Sequence, residues 1–394
     1  MAALLDRPGP RMRPRVLSVP GGPATAHGEI AARLAGVSPA LILVFSAEGA
    51  ALAPLTGQLR ETFGPGCRVI GCSSAGGFAF GAYQDDRVVA IAFPAAGFRA
   101  EAVWLRDLRQ HMALHWMVEL RRLAKGFVGG GPGWSRFGLL MIDGLCQREE
   151  LVAATVDATL GDLPVLGGSA GDGLRFGRTY VAMDGECVPE SAIFCLVSSV
   201  YPVEEVIFDH FTPSSERMVV TEAIPEQRMI LTINAEPATE EYARLIGVAP
   251  EALGPRAFAE NPLLMRQGGR HVVRAIQAAA PGGGLAMMSS VEPGTAMTIG
   301  RPASLTGGLE ARMSGLGRIA LILGFDCILR RIALEQAGLG ETVARIYRDH
   351  RVAGFNTYGE QHGGLHVNQT FVGLAFLEPD AKPDLRSGRG HAAT

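Results

Sequence analysis

Hydrophobic positions fall into two textures along the chain. Up to about residue 200 they form short continuous apolar runs separated by amphipathic stretches. Ala40–Phe45 and Phe137–Ile142 are unbroken runs of the kind that predicts strands buried on both faces. Cys67–Cys72, Arg87–Phe93, Leu163–Leu166, Thr179–Met183 and Ala192–Ser198 predict further strands, and Arg15–Val19 an early one. Thr25–Ala35, Pro54–Phe63 and Glu149–Leu160 carry helical spacing, the last with Glu149 and Glu150 in its first turn. Leu105–Phe127 is a helical segment carrying His111 and His115, read as surface histidines, and Gly129–Gly133 is a turn.

The order strand, helix, strand, glycine turn, strand occurs twice. Setting Val69-Ile70-Gly71 over Val165-Leu166-Gly167 places Ser73 on Ser169 and Leu43 on Leu139 without a gap. Two glycine turns in register predict an internal duplication. From about Tyr201 the pattern changes. Val203–Phe208, Arg217–Glu222 and Arg228–Ile233 alternate as antiparallel strands do. Thr239–Ile246, Pro250–Glu260 and Glu341–Arg348 read as helices. His271–Ile276, Gly284–Ser289 and Thr370–Leu377 read as strands, and Ile319–Arg331 as a strongly apolar segment. The expected fold is α/β followed by α+β: an internally duplicated α/β N-terminal domain and a mixed α+β C-terminal domain. The expected division is a tail and lead-in at 1–34, a duplicated domain at 35–200, a second domain at 201–378 and a disordered tail at 379–394.

Composition narrows the function classes. With 47% hydrophobic and 19% charged residues, the 394-residue chain can bury a large core. A net charge of −3 offers no basic surface for nucleic acid. No apolar run is long enough to span a bilayer, so membrane insertion is not expected. The N-terminus lacks an apolar signal core, and the six cysteines form no C-x-x-C pair, so a cytoplasmic location is expected.

Candidate chemistry concentrates in Gly354–Leu374, where Tyr358, Glu360, His362, His366, Asn368 and Thr370 gather among glycines. Convergent polar groups on permissive backbone suit a pocket. His362 and His366, four apart, are expected on one face and could ligate a metal or haem. The commoner role is to satisfy backbone groups in a polar loop. Gly167-Gly168-Ser169-Ala170-Gly171 fits G-x-S-x-G, but no helix pattern follows, so a hydrolase nucleophile at Ser169 is the weaker reading. Its glycine turn could instead present N–H groups to a carboxylate or phosphate, with Asp172, Arg175 and Arg178 nearby. Cys327 lies three residues before Arg330, which could make it reactive; a buried inert thiol is the commoner case.

Four segments together resemble the FIST family, a FIST N domain followed by a FIST C domain. They are RVIGCSSAGG (68–77), PVLGGSAGDGLRF (164–176), GFDCILRR (324–331) and GFNTYGEQHGGLHVNQT (354–370). The resemblance implies a non-catalytic sensory module that binds an amino acid or small organic acid. It would act through a separate partner such as a histidine kinase. A nitric-oxide-sensing branch implies haem b as the alternative, with His366, His362 or His210 as axial ligand. On this reading Gly71, Ser73, Gly167, Ser169, Asp172, Arg175, Cys327, Arg330, Tyr358, Glu360, His366 and Asn368 are the candidate pocket residues. One departure stands out: Asn234-Ala235-Glu236 replaces a family turn that carries glycine.

Overall fold

The computed structural model describes residue 9 and residues 11–110, 112–267 and 269–378. The tail expected at 379–394, most of the tail before Arg15, and His111 lie outside the described residues.

The expected duplication is present, and its two halves share one topology. In the first, Arg15–Pro20, Arg87–Pro94, Pro39–Ser46 and Arg68–Ser73 lie side by side in that order. In the second, Phe98–Leu105, Ala192–Ser199, Ser135–Ile142 and Val165–Ser169 do the same. Each half has one parallel pair, with Val44 opposite Gly71 and Leu140 opposite Gly167. Helices Pro23–Arg33 and Leu52–Phe63 cover the outer face of the first sheet, and Ala113–Gly126 and Glu149–Leu160 that of the second.

A third copy follows. Val203–Asp209, Thr370–Leu377, Ile319–Cys327 and Val352–Thr357 repeat the order, with Gly324 opposite Gly354 in the parallel pair. Helices Gly307–Ser314, Ile328–Gln336 and Gly340–Asp349 cover this sheet. The C-terminal half mixes helices and strands as expected, and the structure resolves how they are arranged. This half is a third α/β unit split by an inserted β-rich lobe, which runs from Phe211–Ile224 to Ala296–Pro302 and has its own core. The insertion separates the unit's first strand from its first helix, which hides the repeat from sequence spacing.

The sequence and the structure differ at several elements. Leu105 ends a strand, Phe98–Leu105, and the helix begins only at Ala113. Gly167, Gly168 and Ser169 belong to the strand Val165–Ser169, so the turn starts after them. Pro250–Glu260 breaks at Gly254 into a 3₁₀ turn and the short helix Pro255–Glu260, because Pro255 suits the first position of a new helix. Ile319–Arg331 passes from strand to helix at Ile328.

Each unit also lends a hairpin to a neighbour. Gly77–Ala79 with Tyr83–Gln84, from the first unit, extends the third sheet beside Val352–Thr357. Val181–Met183 with Glu186–Cys187, from the second, extends the first sheet beside Arg68–Ser73. Glu360–His362 with Leu365–Val367, from the third, extends the second sheet beside Val165–Ser169. The exchange is cyclic, so the units surround a pseudo-threefold axis. Backbone hydrogen bonds repeat around it: Ala75 N–H donates to Asn356 O (2.8 Å), Gly171 N–H to Ser73 O (3.0 Å) and Tyr358 N–H to Ser169 O (3.1 Å).

The inner faces of the three sheets meet in one apolar core that includes Phe45, Phe137, Phe325, Phe355 and Phe376. Phe45 stacks on Phe355 at 4.5 Å, and Phe137 meets Phe376 edge-on at 5.6 Å, joining different units. Each such ring contributes about 1.5–3 kcal/mol on burial. The glycines in the parallel pairs are demanded by close approach. A Cβ on Gly167 would lie 1.9 Å from Leu140 O, and one on Gly354 1.8 Å from Gly324 O.

Candidate functional site

The hairpin Glu360–His362 with Leu365–Val367 is the element on which the chemistry turns. Gly363 and Gly364 form its two-residue turn, with φ of 53° and 74°, which only glycine adopts freely. The chain reverses there, so His362 pairs with Leu365 and His366 with Gln361. The expectation that His362 and His366 share a face is therefore wrong. A spacing of four gives one face only along a continuous element, and across this turn it gives opposite faces.

The His366 face points to the second unit and the inserted lobe. Gln361 Nε2 donates to Ser169 Oγ at 2.8 Å and lies 3.1 Å from His366 Nδ1. Arg274 Nη1 donates to His366 O at 2.9 Å, and Ser289 Oγ to Asn368 Oδ1 at 2.6 Å. Nearby, Arg228 pairs with Glu149 and, at 2.9 Å, with Glu150, joining the lobe to the first turn of Glu149–Leu160. Burial pushes His366 down to about 3, so the ring is neutral, and burial lifts Glu149 above the usual carboxylate range. Ser169 is fully enclosed, with Gln361 between it and His366.

The His362 face borders a cleft of about 480 Å³ between the third unit and the inserted lobe. Phe208 and Asp209 come from the third unit's first strand, Arg312 from its first helix, and Arg270 and His271 from the lobe. Arg270 and Arg312 have no ion-pair partner among the described residues. Burial, reinforced by the Arg270 charge, pushes His362 down to about 4 and leaves it neutral. Burial raises the Asp209 carboxyl against the pull of the Phe211 N–H and His271. Two guanidiniums, one carboxylate and an aromatic wall can hold a small carboxylate and orient a cationic group beside it.

The pseudo-threefold gives this cleft an internal comparison. Where a unit's own first strand, first helix and hairpin meet, the second unit has a smaller cleft of about 310 Å³, lined by Trp104, His115 and Met183. In the first unit Ser18 Oγ donates to Gln84 Oε1 at 2.7 Å and Arg87 Nε donates to Ser18 Oγ at 2.6 Å, joining first strand to hairpin. The inserted lobe walls the third position and adds Arg270 and His271 to the Asp209 and Arg312 of the unit itself.

The candidates named from sequence do not form one pocket. Gly167, Ser169, His366 and Asn368 gather on the inner face of the hairpin. Gly71 packs inside the first unit against Val44 O and Thr56, and Ser73 Oγ accepts from Tyr180 N–H at 2.9 Å. Asp172 and Tyr358 bond to each other, and Phe176 stacks on Tyr358 at 4.6 Å. Asp172 Oδ atoms accept the N–H groups of Phe176, Gly177 and Arg178, and Arg175 Nε donates to Asp172 O at 2.8 Å, which makes this cluster a loop clamp. Glu360 accepts from Thr357 beside Cys327, and burial lifts both acids well above their ordinary values. The adjacent-arginine route to a reactive Cys327 fails, because Arg330 is engaged by Asp326 at 2.8 Å. Asp209, Arg270, His271 and Arg312 were not among the candidates. They lie on three elements far apart in sequence, Asp209 and Arg312 on the third unit and Arg270 with His271 on one strand of the lobe, and only the insertion brings the last two to the others.

The haem alternative finds no matching slot. His366 is enclosed with Gln361 on one ring nitrogen, and His210 is buried against Phe211 at 4.0 Å. His362 borders a cleft set with charged side chains rather than an apolar slot for a macrocycle. No step is derived through haem.

The FIST N domain family matches residues 40–236 and the FIST C domain family residues 238–362. The chain belongs to the FIST family. FIST domains are associated with signal-transduction sensing and small-ligand binding. The FIST N match runs through the first two units into the lobe, and the FIST C match ends on the hairpin at His362. No curated protein matches the FIST chain. A crystal structure of chorismatase aligns over 92% of this chain and 98% of that one, at 10% identity and a TM-score of 0.34. No helix among the described residues of this FIST protein is long and apolar enough to cross a membrane.

Proposed function

We propose that this FIST protein is a non-catalytic sensor of a small carboxylate, an amino acid or small organic acid, that signals through a separate protein such as a histidine kinase. The observation that carries the reading is the cleft beside His362, where Arg270 and Arg312 stand without ion-pair partners among the described residues. A carboxylate bridging two guanidiniums makes charge-assisted bonds that water does not match. Asp209 is suited to an amino group of the same ligand. The cleft lies between two bodies with separate cores, so a bridging ligand favours their closed arrangement. One wall is the hairpin whose far side bears on Ser169 and, through Arg274, on the lobe. Ligand at His362 thereby touches an element that is part of the second unit's sheet.

The test is a thermal-shift and calorimetric screen of amino acids and small organic acids. At least one should raise the melting temperature, and Arg270→Ala and Arg312→Ala should each weaken its binding by about 1.5–3 kcal/mol. If no carboxylate stabilises the wild type, or if both variants bind it unchanged, the reading fails.

A further inference from the structure

Three helices occupy equivalent positions in the three units: Pro23–Arg33, Ala113–Gly126 and Gly307–Ser314. Each buries one face on its own sheet. The first exposes Ala24, Thr25, Gly28 and Arg33, and the third exposes Ala311, with Gly308 and Arg312 bordering the cleft beside the lobe. Neither exposes a large apolar side chain. The middle helix does: Leu114 is 80% exposed and Val118 51%. The repeated fold itself therefore does not require apolar groups at this position.

The pattern is a stripe. Leu114, Val118, Arg121 and Lys125 are spaced by four, three and four, which puts them on one line along the helix. Trp116 and Leu120, on the opposite side, hold the helix to the core. The stripe therefore faces directly away from the protein, apolar at its start and basic at its end. Arg121 and Lys125 have no ion-pair partner among the described residues, whereas Arg122 is paired with Glu119 at 2.8 Å. Past the helix end Phe127 is extended, and Val128, 84% exposed, borders with Leu123 and Phe127 a cleft of about 480 Å³ on the flank of the helix. On a chain of net charge −3, an unpaired basic end beside exposed apolar groups is a local reversal that complements an acidic partner.

We propose that the outward stripe of Ala113–Gly126 is a docking surface for an amphipathic helical segment of a partner protein, apolar at one end and acidic at the other. Leu114 and Val118 take the partner's apolar residues, Arg121 and Lys125 its carboxylates, and the cleft at Phe127 an anchoring side chain. This rests on the reading that the protein signals through a partner, but its test needs no small ligand.

The probe is a synthetic helical peptide with leucines along one half of a stripe and glutamates along the other. Its counterpart has lysine in place of each glutamate. Calorimetry of the full chain should show saturable binding of the glutamate peptide, weakened by added salt, and none of the lysine peptide. Leu114→Ser with Val118→Ser, and separately Arg121→Glu with Lys125→Glu, should each weaken binding roughly tenfold or more. Unchanged melting temperatures establish that these variants fold; where a pair does not, Val118→Thr and Lys125→Gln replace it. Equal binding of the two peptides, no binding of either, or unaltered binding by the variants overturns the proposal. So does light scattering that shows a dimer which Leu114→Ser dissociates, since the surface would then serve a second copy of this chain.

Discussion

At the scale of single residues, the histidines carry the clearest consequence. His210, His362 and His366 are held neutral by burial, with values near 3, 4 and 3 instead of the ordinary 6.5. Depressed folded values mean that the unfolded chain takes up protons the native chain refuses. Their contribution is complete above about pH 6.5 and is lost as pH falls toward 4 and 3. Urea unfolding at pH 7.5 and pH 5 should show a drop of about 1–2 kcal/mol for each histidine that stays neutral. His366→Gln should flatten the dependence; an equally steep profile in that variant would show that His366 is not among the groups responsible. Ala235 is a second local case. With Asn234 it adopts positive φ, 68° and 52°, in the turn between Met229–Ile233 and Glu236–Pro237. An alanine there carries local backbone strain that a glycine would relieve.

At the scale of elements, the exchanged hairpins decide the architecture. Their strands were barely legible. Gly77–Ala79 and Glu360–His362 are three residues each, too short for an alternation pattern, and they pair with strands hundreds of residues away or in another unit. By contrast Glu149–Leu160 and Thr370–Leu377 have the bounds expected from sequence, because acidic residues in the first turn and Gly161 past the end delimit the helix, and the strand is one unbroken apolar run after Thr370. One hairpin is fastened by a buried polar knot. Tyr83 and Tyr347 each donate to Asp326 Oδ2 at 2.5 Å, and Arg330 pairs with the same carboxylate. Tyr83→Phe should cost about 1.5–3 kcal/mol in chemical denaturation, the loss of a hydrogen bond to a charged group. A loss below a few tenths would mean that the apolar contacts of Phe78 alone hold the hairpin to the third sheet.

At the scale of the whole molecule, three similar units close around one core, and each supplies part of its neighbour's sheet. A fragment of residues 1–200 should therefore not fold cooperatively. It leaves the edge of Val165–Ser169 without its hairpin and exposes the inner faces that the third unit covers. Circular dichroism and amide dispersion should report a collapsed, non-cooperative species, whereas the full chain melts as one. Sharp cooperative melting of the fragment would show that two units suffice.

The sequence alone determined the buried strands, most of the helices, the first duplication and the family. These follow from local periodicity and from short motifs that keep a constant spacing. Tertiary structure alone decided the third repeat, the cyclic exchange and the content of the cleft. The inserted lobe breaks the spacing of the third unit, so its likeness survives in strand order and pairing register rather than in residue offsets. The cleft joins Asp209, Arg270 and Arg312 from three separated segments. No periodicity encodes which distant side chains will face each other; that is set when the three sheets bury their inner faces together.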